Sequence, residues 1–478
     1  MTALQLTALL PFFVISATIV VVMLAIAVRR HHRLTAALSV IGLNLTLLSL
    51  LPTWTAGAGA VNVTPLMVVD GMASFYMAMV LVATLGVMTL CHAYFEGYKR
   101  DREEIYLLIL LGALGGMTLA SANHAATLLI GLELLSLPMV AGVAYAVSDR
   151  RAVEGGAKYL VLSAGASATL LFGIALIYAA TGALDLPSLA QVLVRADVGQ
   201  PLVLAGAAMV LAGLSFKLSI VPFHQWTPDV YEAAPAPVTA YLATVVKAGV
   251  LAAALRLFHS GGGSASPLVV KALVILALAS MIVGSLLALR QDNLKRLLAY
   301  SSIAHFGFLL IVLVAPGNRS LEAAGVYMAT YLITSLGVFG VIALVSSPAG
   351  DRDRETLSEY RGMFWQRPYV VSIFTAMMLS LAGIPLTAGF IGKFAAIAVG
   401  VESQLWLMVS GIVLGSAIGI YYYLRVISAL FEPMAGYERV SESMGWAQSA
   451  GGVMLLLAML AMLAMGVYPE PLFLLARP

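Results

Sequence analysis

Residues 217–238 read KLSIVPFHQWTPDVYEAAPAPV. A lysine stands at the end of an apolar run, where a charge is costly. Four prolines, a histidine, a tryptophan and two carboxylates follow within about one membrane crossing's length. Pro222 lacks a backbone donor and clashes with the turn before it, so a helix that reaches Lys217 must break just beyond. The break frees carbonyls that need water or another partner. A cation beside an opened helix inside an apolar run is the pattern that has to be explained.

The surroundings decide the fold class. The chain has 478 residues, 61% of them hydrophobic and 10% charged, with a mean hydropathy of +0.98. A soluble chain carries about a quarter charged residues. Apolar stretches long enough to cross a hydrocarbon core of about 30 Å recur from end to end. They predict an all-α polytopic membrane protein of about fourteen helices, at 4–28, 34–52, 71–94, 105–121, 124–146, 158–181, 201–225, 236–258, 268–289, 297–315, 321–346, 368–399, 404–431 and 447–469. No extramembrane stretch is long enough to fold alone, so residues 1–478 are expected to form one integral membrane domain. The first apolar stretch has no basic region before it, which predicts a retained helix and not a cleaved signal.

The connecting segments alternate in charge. One set carries Arg29, Arg30, Arg33, Lys99, Arg100, Arg102, Arg150, Arg151, Lys158, Arg290, Lys295, Arg296, Arg352, Arg354, Arg361, Arg367 and Arg439; the other has only Arg195, Lys271, Arg319 and Arg477. By the positive-inside rule the rich side is cytoplasmic, with both termini on the opposite side. Lys217, Lys247, Arg256, Lys393, Arg425 and Glu133 fall within the spans. Arg256 and Arg425, near helix ends, are expected to snorkel. Asp229 and Glu232 are expected near the cytoplasmic surface, solvated.

The twelfth span, about 48 Å if continuous, exceeds the core and clusters Gly383, Pro385, Gly389 and Gly392 in its second half. Interrupted helices at matching places in two halves mark inverted-repeat transporters. The breaks lie five helices apart, suggesting one unit at helices 4–8 and another at 9–13, with helices 7 and 12 discontinuous. Each deep charge costs about 2.5–3.5 kcal/mol on insertion scales. Glu133 and Lys247 both lie near mid-span, Lys217 precedes the first break and Lys393 follows the second. One structural ion pair does not account for three lysines against one glutamate. Desolvation disfavours the charged form of a buried lysine and a neighbouring carboxylate favours it again, so such a set can load and release protons. Lysine suits the task because arginine stays charged. His224 and His305 are candidates to pass protons, since histidine titrates near pH 6.5; a packing role is the alternative for each.

Other chemistry is disfavoured. The single cysteine, Cys91, excludes an internal disulfide and any cysteine-held cluster. His31, His32, His124 and His259 lack metal-ligand spacing, and no metal site is expected. No GxGxxG or P-loop pattern is present, so no nucleotide cofactor is expected in this chain.

The stretches GLELLSLP (131–138), FKLSIVPFHQWTPDVYEAAPAPVTAYLATVVK (216–247), NLKRLLAYSSIAHFGF (293–308) and SLAGIPLTAGFIGKF (380–394) resemble the antiporter-like membrane subunits of respiratory complex I, the proton-translocating NADH:quinone oxidoreductase. The resemblance covers essentially the whole chain. Lys393, where the M-type subunit has glutamate, and the absence of the long lateral helix of the L-type subunit make it most similar to the N-type. The resemblance implies fourteen helices with two inverted five-helix repeats. It implies that Glu133 and Lys217 form a coupled pair, with Lys247 a central relay, Lys393 a terminal lysine, and His224 and His305 along the path. It further implies a bacterial inner membrane location and M-type, K-type, J-type and A-type neighbours. FMN, iron–sulfur clusters and quinone would be held by other subunits of the complex. Subunits of Mrp-type sodium/proton antiporters share the broken-helix lysine motifs and are the alternative. A purely structural scaffold held by ion pairs is a third reading.

Overall fold

The computed structural model describes residues 2–55, 60–98, 101–195, 200–260, 266–346, 353–433 and 446–477. Lys99, Arg100, Arg352 and Arg439 lie outside the described residues, as does the side chain of Arg195. Among the described residues, twelve helices are long and apolar enough to cross a membrane, and two shorter apolar ones, Glu104–Ala120 and Pro368–Ala382, complete the set of fourteen expected crossings. The first three are Ala3–Val28, His32–Leu48 and Gly71–Phe95, with a two-stranded antiparallel hairpin, Val61–Thr64 and Met67–Val69, between the second and third. Nothing in the sequence reading anticipated that hairpin. The fourth, fifth and sixth crossings are Glu104–Ala120, Ala125–Val143 and Arg150–Thr181. The sixth starts eight residues before its expected boundary, because the polar turns around Glu154 and Lys158 continue the helix beyond its apolar part.

The seventh crossing is broken, as Pro222 demands. Its first half, Pro201–Leu218, ends where Ser219 turns left-handed (φ 62°), and the second half is Trp226–Ala233. The eighth runs Ala236–Ala243 and Val245–His259, with an irregularity at Thr244 that the sequence reading missed. The ninth, tenth and eleventh are Pro267–Leu289, Leu294–Leu309 with Ile311–Val314, and Asn318–Ser346. The twelfth is broken into Pro368–Ala382 and Ala388–Glu402. Trp406–Leu430 and Trp446–Val467 finish the set.

Burial sorts these helices. The eighth, tenth and eleventh crossings are almost wholly enclosed, whereas the first and last expose most of their apolar surface. Exposed Leu, Val and Phe side chains on the outer helices are what a lipid-facing or subunit-facing wall presents. Glycines let neighbouring helices approach closely. A methyl group on Gly249 would lie 3.0 Å from the Cα of Gly116, and one on Gly173 2.7 Å from the carbonyl oxygen of Gly206.

The two faces of the bundle differ. Arg30 pairs with Asp101 and Glu104, Arg151 with Glu355, Lys158 with Glu154 and Asp229, and Arg296 with Asp229 and Glu232, all on the face predicted to be basic. Asp229 and Glu232 are therefore paired, not merely solvated. The opposite face carries Arg319–Glu402 and Arg477–Glu322. On that face Gln5 also bonds the hairpin carbonyl of Asn62.

Candidate functional site

The two helix breaks determine where buried cations go. An α-helix leaves its last carbonyls without partners, and its C-terminal end carries partial negative charge. At the first break Ile220 N–H donates to Ser215 O (2.8 Å), and the Trp226 indole donates to Phe216 O (2.9 Å). The carbonyl of Lys217 itself accepts from Lys247 Nζ at 3.2 Å, and the same amine donates to Ser219 Oγ. The lysine of the eighth crossing thus caps the broken seventh.

The second break repeats the device. Gly383, left-handed at φ 84°, closes the first half through bonds from Gly383 and Ile384 N–H to Ser380 and Leu379 carbonyls. The remaining carbonyls, Leu381 O and Ala382 O, both accept from Lys393 Nζ at 2.9 Å. Glycine is required at 389, where a Cβ would sit 1.8 Å from Ser380 O. Its own N–H donates to Ser380 Oγ at 3.0 Å. Pro385 and Leu386 lie in the loop of this break, with exposed side chains.

Lys217 points elsewhere. Its ammonium donates to Ser136 Oγ at 2.8 Å and Ser163 Oγ at 2.7 Å, from the fifth and sixth crossings. Glu133 lies one helical turn before Ser136 on the same helix, and its Oε1 is buried without a hydrogen-bond partner. No ion pair joins Glu133 and Lys217 among the described residues. The lysine instead reaches Ser136, one turn along the helix that carries Glu133.

Lys217, Lys247 and Lys393 are buried, and every hydrogen bond they make in the structure goes to a serine or a backbone carbonyl. Aromatic rings flank two of them: Lys247 Nζ lies 5.3 Å from the Trp226 ring and 5.1 Å from that of Phe306, and Lys393 Nζ lies 5.7 Å from Phe308.

The other buried cations differ. Arg256, expected to snorkel, is buried, bonded to both carboxylate oxygens of Asp70 (3.0 and 2.6 Å) and to Ala120 O. The physical reason is the carbonyl end of the fourth crossing beside it, which rewards a guanidinium more than a reach to the surface does. Arg425, half-buried, reaches Leu289 O and Gln291 O at the basic-face end of the ninth crossing. Lys295, assigned to a connecting segment, is buried against Asp353 (2.7 Å) and Ala234 O (2.8 Å). Tyr94 donates to the same carboxylate at 2.7 Å. Sequence reasoning missed Asp70 and Asp353 because both sit in short polar connections, and only folding brings them to their cations.

His305 is enclosed. Its Nδ1 lies 2.8 Å from Tyr327 OH and its Nε2 3.3 Å from Tyr423 OH. His224 lies in the first break, its Nδ1 buried without a hydrogen-bond partner. Among the described residues no hydrogen bond joins it to Lys217. His31 and His124, by contrast, accept from backbone N–H groups at helix starts, a capping role. Among the described residues no group of three His, Cys, Asp or Glu is placed to hold a metal ion.

Known proteins place this arrangement. The family model described as "NADH:quinone oxidoreductase/Mrp antiporter, TM" matches residues 122–419, a range that contains both breaks and all four deep charges. Subunit N of the NADH-quinone oxidoreductase of Ectopseudomonas mendocina (strain ymp) is 54% identical over 476 residues, covering 98% of this chain and 96% of that one. A chain of respiratory complex I from Thermus thermophilus, solved with bound aureothin, has a TM-score of 0.82 at 33% identity and covers 98% of this chain and 100% of its own. A chain of the Mrp complex from Dietzia sp. DQ12-45-1b has a TM-score of 0.85 at 21% identity, a likeness of fold alone.

Proposed function

The chain belongs to the NADH:quinone oxidoreductase/Mrp antiporter family of membrane subunits, on the side of subunit N, and from that premise we propose that it moves protons across the membrane along its row of buried lysines. One observation carries the reading. The three lysines nearest the breaks are held by neutral oxygens, whereas the buried Arg256 and Lys295 hold carboxylates; Arg425 also meets carbonyls, but as an arginine it keeps its charge. A lysine bound to a carboxylate leaves an uncompensated buried charge when it loses its proton. A lysine bound to serines and carbonyls does not, so it can exchange the proton with its neighbours.

In this reading Glu133 and Lys217 work as a pair through Ser136, and the charge on Glu133 sets how readily Lys217 gives up its proton. A cavity of about 340 Å³ lined by Arg151, Glu154, Lys158, Asp229 and Glu232 opens on the basic face beside the second half of the seventh crossing, a route for water toward this pair. Lys247 is the central carrier and Lys393 the terminal one, with His305 along the way. His224 supplies a further titratable group at the first break. The two breaks are approached from opposite faces, which supports inverted repeats at crossings 4–8 and 9–13 within one integral membrane domain.

The chain holds no redox centre in this reading. Quinone reduction, with the FMN and iron–sulfur clusters that feed it, belongs to other subunits and reaches this one as conformational and electrostatic change. M-type, K-type, J-type and A-type membrane subunits are its neighbours, in a bacterial inner membrane with the basic face cytoplasmic and both termini periplasmic. The test is Lys217→Ala and Lys217→Arg in the assembled complex. Both variants are expected to lose most NADH-driven proton pumping while co-purifying normally with iron–sulfur signals. Full pumping by Lys217→Ala with normal assembly defeats the proposal.

A further inference from the structure

We propose that Tyr423 and Ser301 form a hydroxyl relay that hands protons to His305 from the basic side of the bundle, an inference that rests on the proton-path reading above. Tyr423 comes from the thirteenth crossing and Ser301 from the tenth, one helical turn nearer the basic face than His305. Both are buried. The Ser301 and Tyr423 hydroxyls are hydrogen-bonded to each other, and Tyr423 OH lies 3.3 Å from His305 Nε2. On the other side of the ring, Tyr327 OH holds Nδ1 at 2.8 Å. Ser301 is seven residues into its helix, about 10 Å from the basic end by helical rise.

Several buried hydroxyls in other crossings bond back to the carbonyl four residues earlier, as Thr84 does to Val80, Thr244 to Ala240 and Ser280 to Leu276. The Ser301 hydroxyl instead meets another side chain, Tyr423, that continues to an imidazole. Each hydroxyl in the row can accept one proton while it gives another, and a neutral imidazole has one nitrogen free to accept. A proton from hydronium on the basic side arrives at Ser301 Oγ as the serine proton passes to Tyr423. The tyrosine proton passes in turn to His305 Nε2. Both hydroxyls end as they began, the imidazole becomes imidazolium, water is released and no electron moves. Its Nδ1–H then donates to Tyr327, which fixes the ring during the exchange.

Five variants in the assembled complex, in inverted membrane vesicles, test the relay by proton pumping per NADH oxidised and by the solvent deuterium isotope effect on turnover. Tyr423→Phe and Ser301→Ala are expected to slow pumping about a hundredfold or more, as loss of a positioned proton-transfer group does. They should raise the isotope effect, and combining them should cost no more than either alone. Ser301→Thr, which keeps the hydroxyl, should restore pumping; a merely structural serine would not distinguish threonine from alanine in this way. His305→Ala separates the two levels of the argument. If it pumps normally, the proton path through His305 is wrong. If it is defective while Ser301→Ala pumps at the wild-type rate, the relay alone is wrong, even where Tyr423→Phe fails to assemble.

Discussion

At the scale of single residues, the informative variable is what each buried cation touches. Lys247 does two things: it satisfies the Lys217 carbonyl at 3.2 Å and presents an amine to the core. The roles come apart on substitution. Lys247→Arg keeps a cationic cap but cannot release a proton, so the complex should assemble while NADH-driven pumping falls at least about tenfold. Equal pumping by this variant and wild type would reduce Lys247 to a cap. Asp353 makes the opposite case. Replacing it by alanine strands the Lys295 ammonium, and loss of one partner of a buried pair costs about 3–5 kcal/mol. The melting temperature of Asp353→Ala in detergent should drop clearly, whereas Glu154→Ala, at an exposed pair with Lys158, should leave it nearly unchanged.

At the scale of elements, both broken crossings follow one rule: a freed helix C-terminus inside the bundle is closed by a lysine from a later helix in the chain. At the first break that helix is the eighth crossing, and at the second it is the other half of the same crossing. The second closure depends on Gly389, because the two halves pack where any side chain would strike the Ser380 carbonyl at 1.8 Å. Gly389→Ala is therefore expected to separate the halves and pull Lys393 off its carbonyls. The measurement is recovery of intact complex after solubilisation, which should fall severalfold. A normal yield would mean that the backbone moves aside without cost. Gly400→Ala meets the Ile311 and Val409 side chains and no backbone atom, and should be better tolerated.

At the scale of the whole molecule, helices are sorted by what surrounds them. The crossings that carry Lys247 and His305 are enclosed, the eighth by the third, fourth, seventh and eleventh crossings and the tenth by the seventh, ninth and thirteenth. The seventh and twelfth crossings expose their breaks at Pro222, Phe223, Pro385 and Leu386. Irregular backbone at membrane depth is tolerated only where protein or water covers it, so these loops are expected to become protected when the complex assembles. Hydrogen exchange of residues 220–225 and 384–387 should be slower in the complex than in the isolated chain. Equal exchange in both would mean that the loops face water throughout.

The primary sequence by itself determined the helical membrane class, the crossings, the two breaks and the four deep charges. Those features are local: apolar length sets a crossing, Pro222 and the Gly383–Gly392 cluster open helices, and an ionisable residue within an apolar run is visible without a fold. The partners of those charges were decided only by the tertiary structure. Ser136 and Ser163 hold Lys217, Asp70 claims Arg256, Asp353 claims Lys295, and Tyr423 reaches His305 from a crossing more than a hundred residues away. Serine and tyrosine in an apolar helix look alike wherever they occur, and a short polar loop gives no sign of the cation it will meet. The opening stretch shows the division. Its sequence requires a cation and then a break, but only packing decides that Lys217 turns toward two serines while Lys247 caps the helix that Lys217 ends.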